Sequence, residues 1–334
     1  MDLAATDLVA LAVDVVRRRY GLVPTATTVV AAHSFNTVLR IDVDGEASPL
    51  ALRVGTGPRI HEPGVEDVEA GWLDDLADAG LPVPRNRPAS DGARWVGHPT
   101  PGEPDGTTAA GPAGRPTLVC TLFGWVDGEP LRDRPTSSGL AAAGAALAGI
   151  HQRAAAQPSP ADVPRRLRAD RAIGFEAGDH LRHLADRPWS TRLPNVWPAV
   201  AEAVERTQAT IDELWRSPPH DPHLLHGDFG PHNVLVADDG VRVIDFQDLQ
   251  VGFDLQDVAL ATDTLTRRHP DLVEPFHRGY ASVRPLPDVS PALAAALRTA
   301  RDLTIANLAM ATPGTGITDL LDETLNRIVW PGQR

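Results

Sequence analysis

Three polar side chains in residues 224–259 (LLHGDFGPHNVLVADDGVRVIDFQDLQVGFDLQDVA) have the types and spacing that suit chemistry. Asp228 follows His226 and Gly227, Asn233 comes five residues later, and Asp245 ends the apolar run at 241–244. Transfer of a phosphoryl group needs such a set. One carboxylate orients an attacking hydroxyl and accepts its proton. A second carboxylate and an amide oxygen hold Mg²⁺ against phosphate oxygens.

The surrounding residues say how the three are positioned. Leu224 and Leu225 lie before the loop, and Val234, Leu235 and Val236 lie after it. Asp238, Asp239 and Gly240 form a turn signal before Val241, Val243 and Ile244. The expectation is a loop, a short strand, a hairpin turn, a second strand, and Asp245 at its end.

Here the chain reads H-G-D-x-x-x-x-N and then Asp245, Phe246, Gln247, where protein kinases have H-R-D-x-x-x-x-N and D-F-G. Together with Gly252, Asp254 and Asp257, this pattern resembles the aminoglycoside phosphotransferase family, which includes choline, homoserine and sugar kinases. The resemblance implies Asp228 as base, and Asn233 and Asp245 as metal ligands. It implies ATP and Mg²⁺ as cofactors. It also implies an α+β, two-lobed, protein-kinase-like fold, with a small N-lobe of antiparallel sheet plus helix and a larger, mostly helical C-lobe. The expected division is 1–121 for the N-lobe, 122–127 for the hinge and 128–334 for the C-lobe.

Composition bounds the partners. The chain has 334 residues, 42% of them hydrophobic, which is enough for a substantial core. Cys120 is the single cysteine, so no internal disulfide can form, and a buried apolar role suits it. Asp2 and the absence of a basic segment before an apolar run argue against a signal peptide. No apolar run reaches membrane-spanning length. A cytoplasmic protein is therefore expected, with no membrane partner. The net charge of −13 argues against nucleic acid, whose phosphates favour a basic face. All 31 residues in the Lys+Arg count are arginine, so no lysine can serve a phosphate.

The N-terminal part is expected to supply that cation. Residues 8–20 have the spacing of an amphipathic helix closed by Gly21. Residues 27–31, 37–43 and 50–54 read as strands, with Asp44 and Gly45 as a hairpin turn. Arg53 occupies the position that resembles the kinase phosphate-binding lysine. Its other reading is a solvated strand residue. The next helix, 65–79, carries Glu69, the favoured partner of Arg53, with Glu66 and Glu62 as competitors. The glycine-free connection at 34–36 offers Ser34 and Asn36 to phosphate, or serves as a plain strand connection. Residues 97–116 are rich in Gly, Pro and Thr and read as a loop. Strand 117–123 leads to the expected hinge, whose backbone from Leu122 to Val126 would meet adenine.

Helices are expected at 139–151, 197–215, from 255 onward, at 291–310 and at 319–329. Asp254 and Asp257 sit where carboxylates cap helix N–H groups. His226 is expected to hold the loop and His151 to be structural, while His232 has no assigned role. The expected activity is transfer of the ATP γ-phosphate to a hydroxyl of a small molecule: an aminoglycoside, an amino sugar, homoserine or a choline-like compound. The alternatives are a Ser/Thr protein kinase of the same fold and an idle nucleotide-binding module.

Overall fold

The computed structural model describes residues 4–32, 36–56, 64–99, 117–157, 167–174, 180–185, 196–311 and 317–330. The architecture is α+β. The chain divides into two compact units; the described residues up to Asp127 form the first and those from Gly128 onward the second.

In the first unit, α1 (Ala5–Tyr20) is followed by β1 (Pro24–Ala32), β2 (Asn36–Val43), β3 (Leu50–Gly55), α2 (Val65–Asp78), β4 (Val96–Pro99) and β5 (Thr117–Gly124). The strands form one antiparallel sheet in the order β1-β2-β3-β5-β4. Strict alternation along β2 and β3 turns Leu39, Ile41, Leu52 and Val54 into the core. Leu8, Leu11, Ala12, Val15 and Val16 of α1 pack on that face. Each large apolar side chain so buried contributes roughly 1.5–3 kcal/mol. Gly21, at φ 67°, ends α1 in the left-handed conformation that glycine adopts without strain. Cys120 is fully buried in this core, and burial pushes its thiol up to about 12.

Part of the expected 97–116 loop is strand. Residues 97–99 belong to β4 because they pair with Leu118 and its neighbours on β5, a long-range contact that the Gly- and Pro-rich composition does not announce. The rest of that segment lies outside the described residues.

The second unit begins with β6 (Glu129–Pro130) and α3 (Ser137–Ala155), then α4 (Trp197–Arg216), β7 (His223–Leu225), β8 (Val234–Ala237) and β9 (Gly240–Val243). It continues with β10 (Gln250–Gly252), α5 (Asp254–Arg268), α6 (Val273–Ala281), α7 (Pro291–Ala311) and α8 (Ile317–Val329). Two small sheets form, β6-β8-β9 and β10-β7. α3 is rich in alanine and glycine because it meets α6 closely. A Cβ on Gly144 would lie 2.1 Å from the Phe276 carbonyl oxygen, and one on Gly279 would lie 1.9 Å from that of Ala141. A separate apolar core joins α4, α7 and α8 through Val200, Leu303, Leu321 and Leu325. The strands β6 and β10 and the helix α6 were not anticipated; two or three strand residues carry too little periodicity to be seen.

Candidate active site

In the first unit, β3 projects Arg53 away from the core, between the buried Leu52 and Val54. Glu69 lies in the buried stripe of α2 and is only 2% exposed. A carboxylate there needs a partner, and Arg53 is that partner. Arg53 Nη1 donates to Glu69 Oε1 at 2.8 Å, and Nη2 donates to Oε2. The guanidinium also lies 5.2 Å from the centroid of the Phe123 ring. Glu69, the favoured candidate, thus meets Arg53, while Glu62 lies outside the described residues.

Two neighbouring expectations fare differently. Ser34 lies outside the described residues, while Asn36 opens β2 opposite Gly55. Leu122 lies inside β5. Its side chain is fully buried, it pairs with Leu52, and its carbonyl accepts the Arg87 N–H at 2.8 Å. Both edges of β5 are occupied at that point.

In the second unit, the loop after β7 carries His226, Gly227 and Asp228. Asp257, on the first turn of α5, accepts the His226 N–H at 2.8 Å and the Gly227 N–H at 3.0 Å. His151 of α3 contacts the same carboxylate at 3.1 Å and the Tyr280 hydroxyl at 2.9 Å. Burial alone would raise the Asp257 pKa, but the bonds from His151 and His226 prevail and lower it. Asp257 therefore clamps the loop rather than capping its own helix, contrary to expectation. The reciprocal cap of α5 is Gln256, whose side chain accepts the Phe253 N–H at 2.9 Å. Asp254 also faces away from a capping role: it lies 2.5 Å from His223 Nε2 and accepts from Arg284 Nε at 2.6 Å.

Gly227 explains why this loop has H-G-D. Its φ is +84°, and a Cβ would lie 1.8 Å from the Asp248 carbonyl oxygen. His226 is buried, and burial holds its pKa below the usual histidine value. Its Nε2 faces the Ile244 carbonyl at 3.0 Å, while its Nδ1 accepts the Asp228 N–H at 3.3 Å. A neutral ring protonated at Nε2 satisfies both. It ties the loop to the end of β9.

Asp228 is engaged through both carboxylate oxygens. Its Oδ1 accepts from Arg301 of α7, and its Oδ2 accepts from His232 at 3.1 Å and from Asn233 Nδ2 at 3.3 Å. Asn233 Nδ2 also donates to the Asp228 carbonyl at 2.9 Å. Burial raises the Asp228 pKa, but the His232 hydrogen bond and the Arg301 charge outweigh it and hold the group at about 2. The Ile244 N–H donates to the Asn233 carbonyl at 3.0 Å, which places the start of Asp245 beside Asn233. Asp245 is the one non-glycine residue with positive φ among the described residues, at 66°. Such a conformation costs on the order of 1–3 kcal/mol and clusters at functional sites.

The donor set suits Mg²⁺. The Asn233 amide oxygen and the Asp245 carboxylate would be its protein ligands, since Mg²⁺ bound with phosphates takes only one or two from protein.

Arg301 and His232 were missed as site residues. His232 had a local signal, four residues from Asp228 in a turn. Arg301 had none, because it lies 73 residues away.

The fold and this constellation define a protein-kinase-like phosphotransferase. Residues 25–293 match the phosphotransferase enzyme family, APH, and the chain belongs to it. It is a phosphotransferase by that membership. Amicoumacin kinase hAmiN, solved with AMP-PNP, Ca²⁺ and Ami, superposes with a TM-score of 0.71 at 15% identity, covering 97% of this chain and 93% of that one. A microcompartment-associated aminopropanol kinase gives 0.63 at 20% identity, with 98% and 99% covered. Spectinomycin phosphotransferase APH(9)-Ia, with ADP and spectinomycin, gives 0.60 at 11% identity, with 99% and 98% covered. No curated protein matches this sequence. No helix among the described residues is long and apolar enough to cross a membrane.

Proposed function

We propose that this protein transfers the γ-phosphoryl group of ATP, with Mg²⁺, to a hydroxyl of a small soluble molecule. The observation that supports this most directly is Asp228 on a loop clamped by Asp257 and His226, with Asn233 bonded to Ile244, the neighbour of Asp245. Mg²⁺, when bound, neutralises charge on the phosphate oxygens.

Asp228 orients the acceptor hydroxyl. With its pKa at about 2 it stays ionised throughout the working pH range and is a weak base. Orientation is then its first task, and it takes the proton late, as suits a loose transition state. Asn233 and Asp245 hold the metal. Arg53 supplies the phosphate-facing cation in a chain without lysine, and Glu69 holds its fork. The Trp125 N–H donates to the Pro49 carbonyl at 3.1 Å, which leaves its carbonyl and the Val126 backbone to meet adenine.

The acceptors named for the similar structures, an amicoumacin, an aminopropanol and spectinomycin, all belong to small hydroxylated molecules. An ATP-consumption screen tests the reading, using aminoglycosides, amino sugars, hydroxy amino acids and choline, beside a generic protein substrate. Turnover with a small molecule and not with protein is expected. Turnover with protein alone, or no Mg²⁺-dependent nucleotide binding, overturns it.

A further inference from the structure

Resting on the kinase reading above, we propose that Arg301 selects acceptors that carry an acidic group near the reactive hydroxyl. A guanidinium on the catalytic carboxylate lowers the proton affinity of a base, so its benefit must lie elsewhere. The other arginines of this region are closed onto structural carboxylates. Arg298 Nη1 meets Asp263 at 2.6 Å, and Arg327 holds Asp302 through Nε at 3.0 Å and Nη2 at 2.8 Å.

Arg301 differs. Only its Nη2 is bonded, to Asp228 Oδ1, and its Nη1 is buried without a hydrogen-bond partner among the described residues. A buried cationic N–H without an acceptor is unfavourable. The side chain as a whole is 26% exposed, and the buried Nη1 meets an incoming group when the guanidinium turns off Asp228. A carboxylate matches the two-pronged fork. An acceptor whose acid group takes this fork draws Arg301 off Asp228 Oδ1. That leaves the oxygen for the hydroxyl to be phosphorylated, while His232 and Asn233 keep Oδ2 in place. Acid recognition and release of the base thus become one exchange. Acceptors without the acid group leave the base engaged.

Matched acceptor pairs test this. L-threonine and 1-amino-2-propanol differ by one carboxylate, as do L-homoserine and 3-amino-1-propanol. Phosphate transfer is measured for each with wild type, Arg301→Gln and Arg301→Lys, alongside the shift in thermal unfolding that each compound produces. The acidic members are expected to exceed their partners by roughly 10- to 100-fold in kcat/KM, the loss typical of a charged hydrogen bond. Arg301→Gln is expected to collapse that ratio, and Arg301→Lys to restore part of it, with the nucleotide KM unchanged. Equal turnover within each pair overturns the inference while leaving the kinase reading intact. So does a wild type that binds Mg·ATP but is neither active with, nor preferentially stabilised by, the acidic members. An Arg301→Gln that raises nucleotide KM and slows both members alike also overturns it, assigning the guanidinium to the transferred phosphoryl group. A wild type that binds no Mg·ATP instead removes the kinase reading on which the inference rests.

Discussion

The two charged centres are built on different plans. In the first unit, Arg53 and Glu69 close on each other as one fork, 13% and 3% exposed at their side chains, with both carboxylate oxygens taken by the same guanidinium. In the second, Asp228 is shared among Arg301, His232 and Asn233, each contributing through one nitrogen. The first is a buried two-pronged pair, so removing Arg53 strands the Glu69 charge. The second spreads one charge over partners that can be exchanged singly. The difference fits a cation that must hold still and a carboxylate that must accept a new partner at every turnover.

The largest break in this comparison is expected from Asp228→Asn. Phosphate transfer should fall by about 10²–10⁴-fold, the contribution typical of a positioned base. Nucleotide binding should be little changed, because Asp228 serves the acceptor. Single-turnover rates beside nucleotide titrations check both halves, and a variant that keeps most of its turnover removes Asp228 from this role.

Next come the metal ligands. Asp245→Ala and Asn233→Ala should weaken Mg²⁺-dependent nucleotide binding, Asp245→Ala more so because it removes a full charge. Titrations with and without Mg²⁺ decide this, and two variants with wild-type Mg²⁺ dependence would discard the assignment.

The first centre is sharpened by stability as well as rate. Arg53→Ala leaves Glu69 buried without its partner, an effect worth about 3–5 kcal/mol for such pairs. Its activity loss should appear in nucleotide KM and kcat together. Arg53→Lys should retain part of the activity, because a point charge cannot grip both oxygens. Glu69→Ala should fall between them. Chemical denaturation run beside steady-state kinetics separates the two effects.

The smallest effect is acid sensitivity. Asp228 has its folded pKa depressed, from 3.8 to about 2, and Asp257 is depressed as well. A depressed carboxylate contributes stability above its unfolded pKa and loses it as pH falls through the folded one. Unfolding free energy should therefore drop between about pH 4 and pH 2, with Asp228 accounting for on the order of 2 kcal/mol. Urea titrations across that range should show a shallower drop for Asp228→Asn than for wild type.

Much of this protein was legible from its amino acids. The period of two along β3 placed Arg53 opposite the core, and family resemblance singled out Glu69 as its partner. Asp238, Asp239 and Gly240 marked the turn joining β8 and β9, so Asn233 and Asp245 had to come close. These relations are local, and local geometry follows from residue type and period. Tertiary structure alone decided the rest. It closed Arg53 onto Glu69, buried the Leu122 side chain, and turned Asp257 from its own helix to the His226 loop. It also brought Arg301 from α7 onto Asp228. No period links residues 73 positions apart; their meeting depends on how α7 packs on α4, α5 and α8, and only the folded chain carries that information.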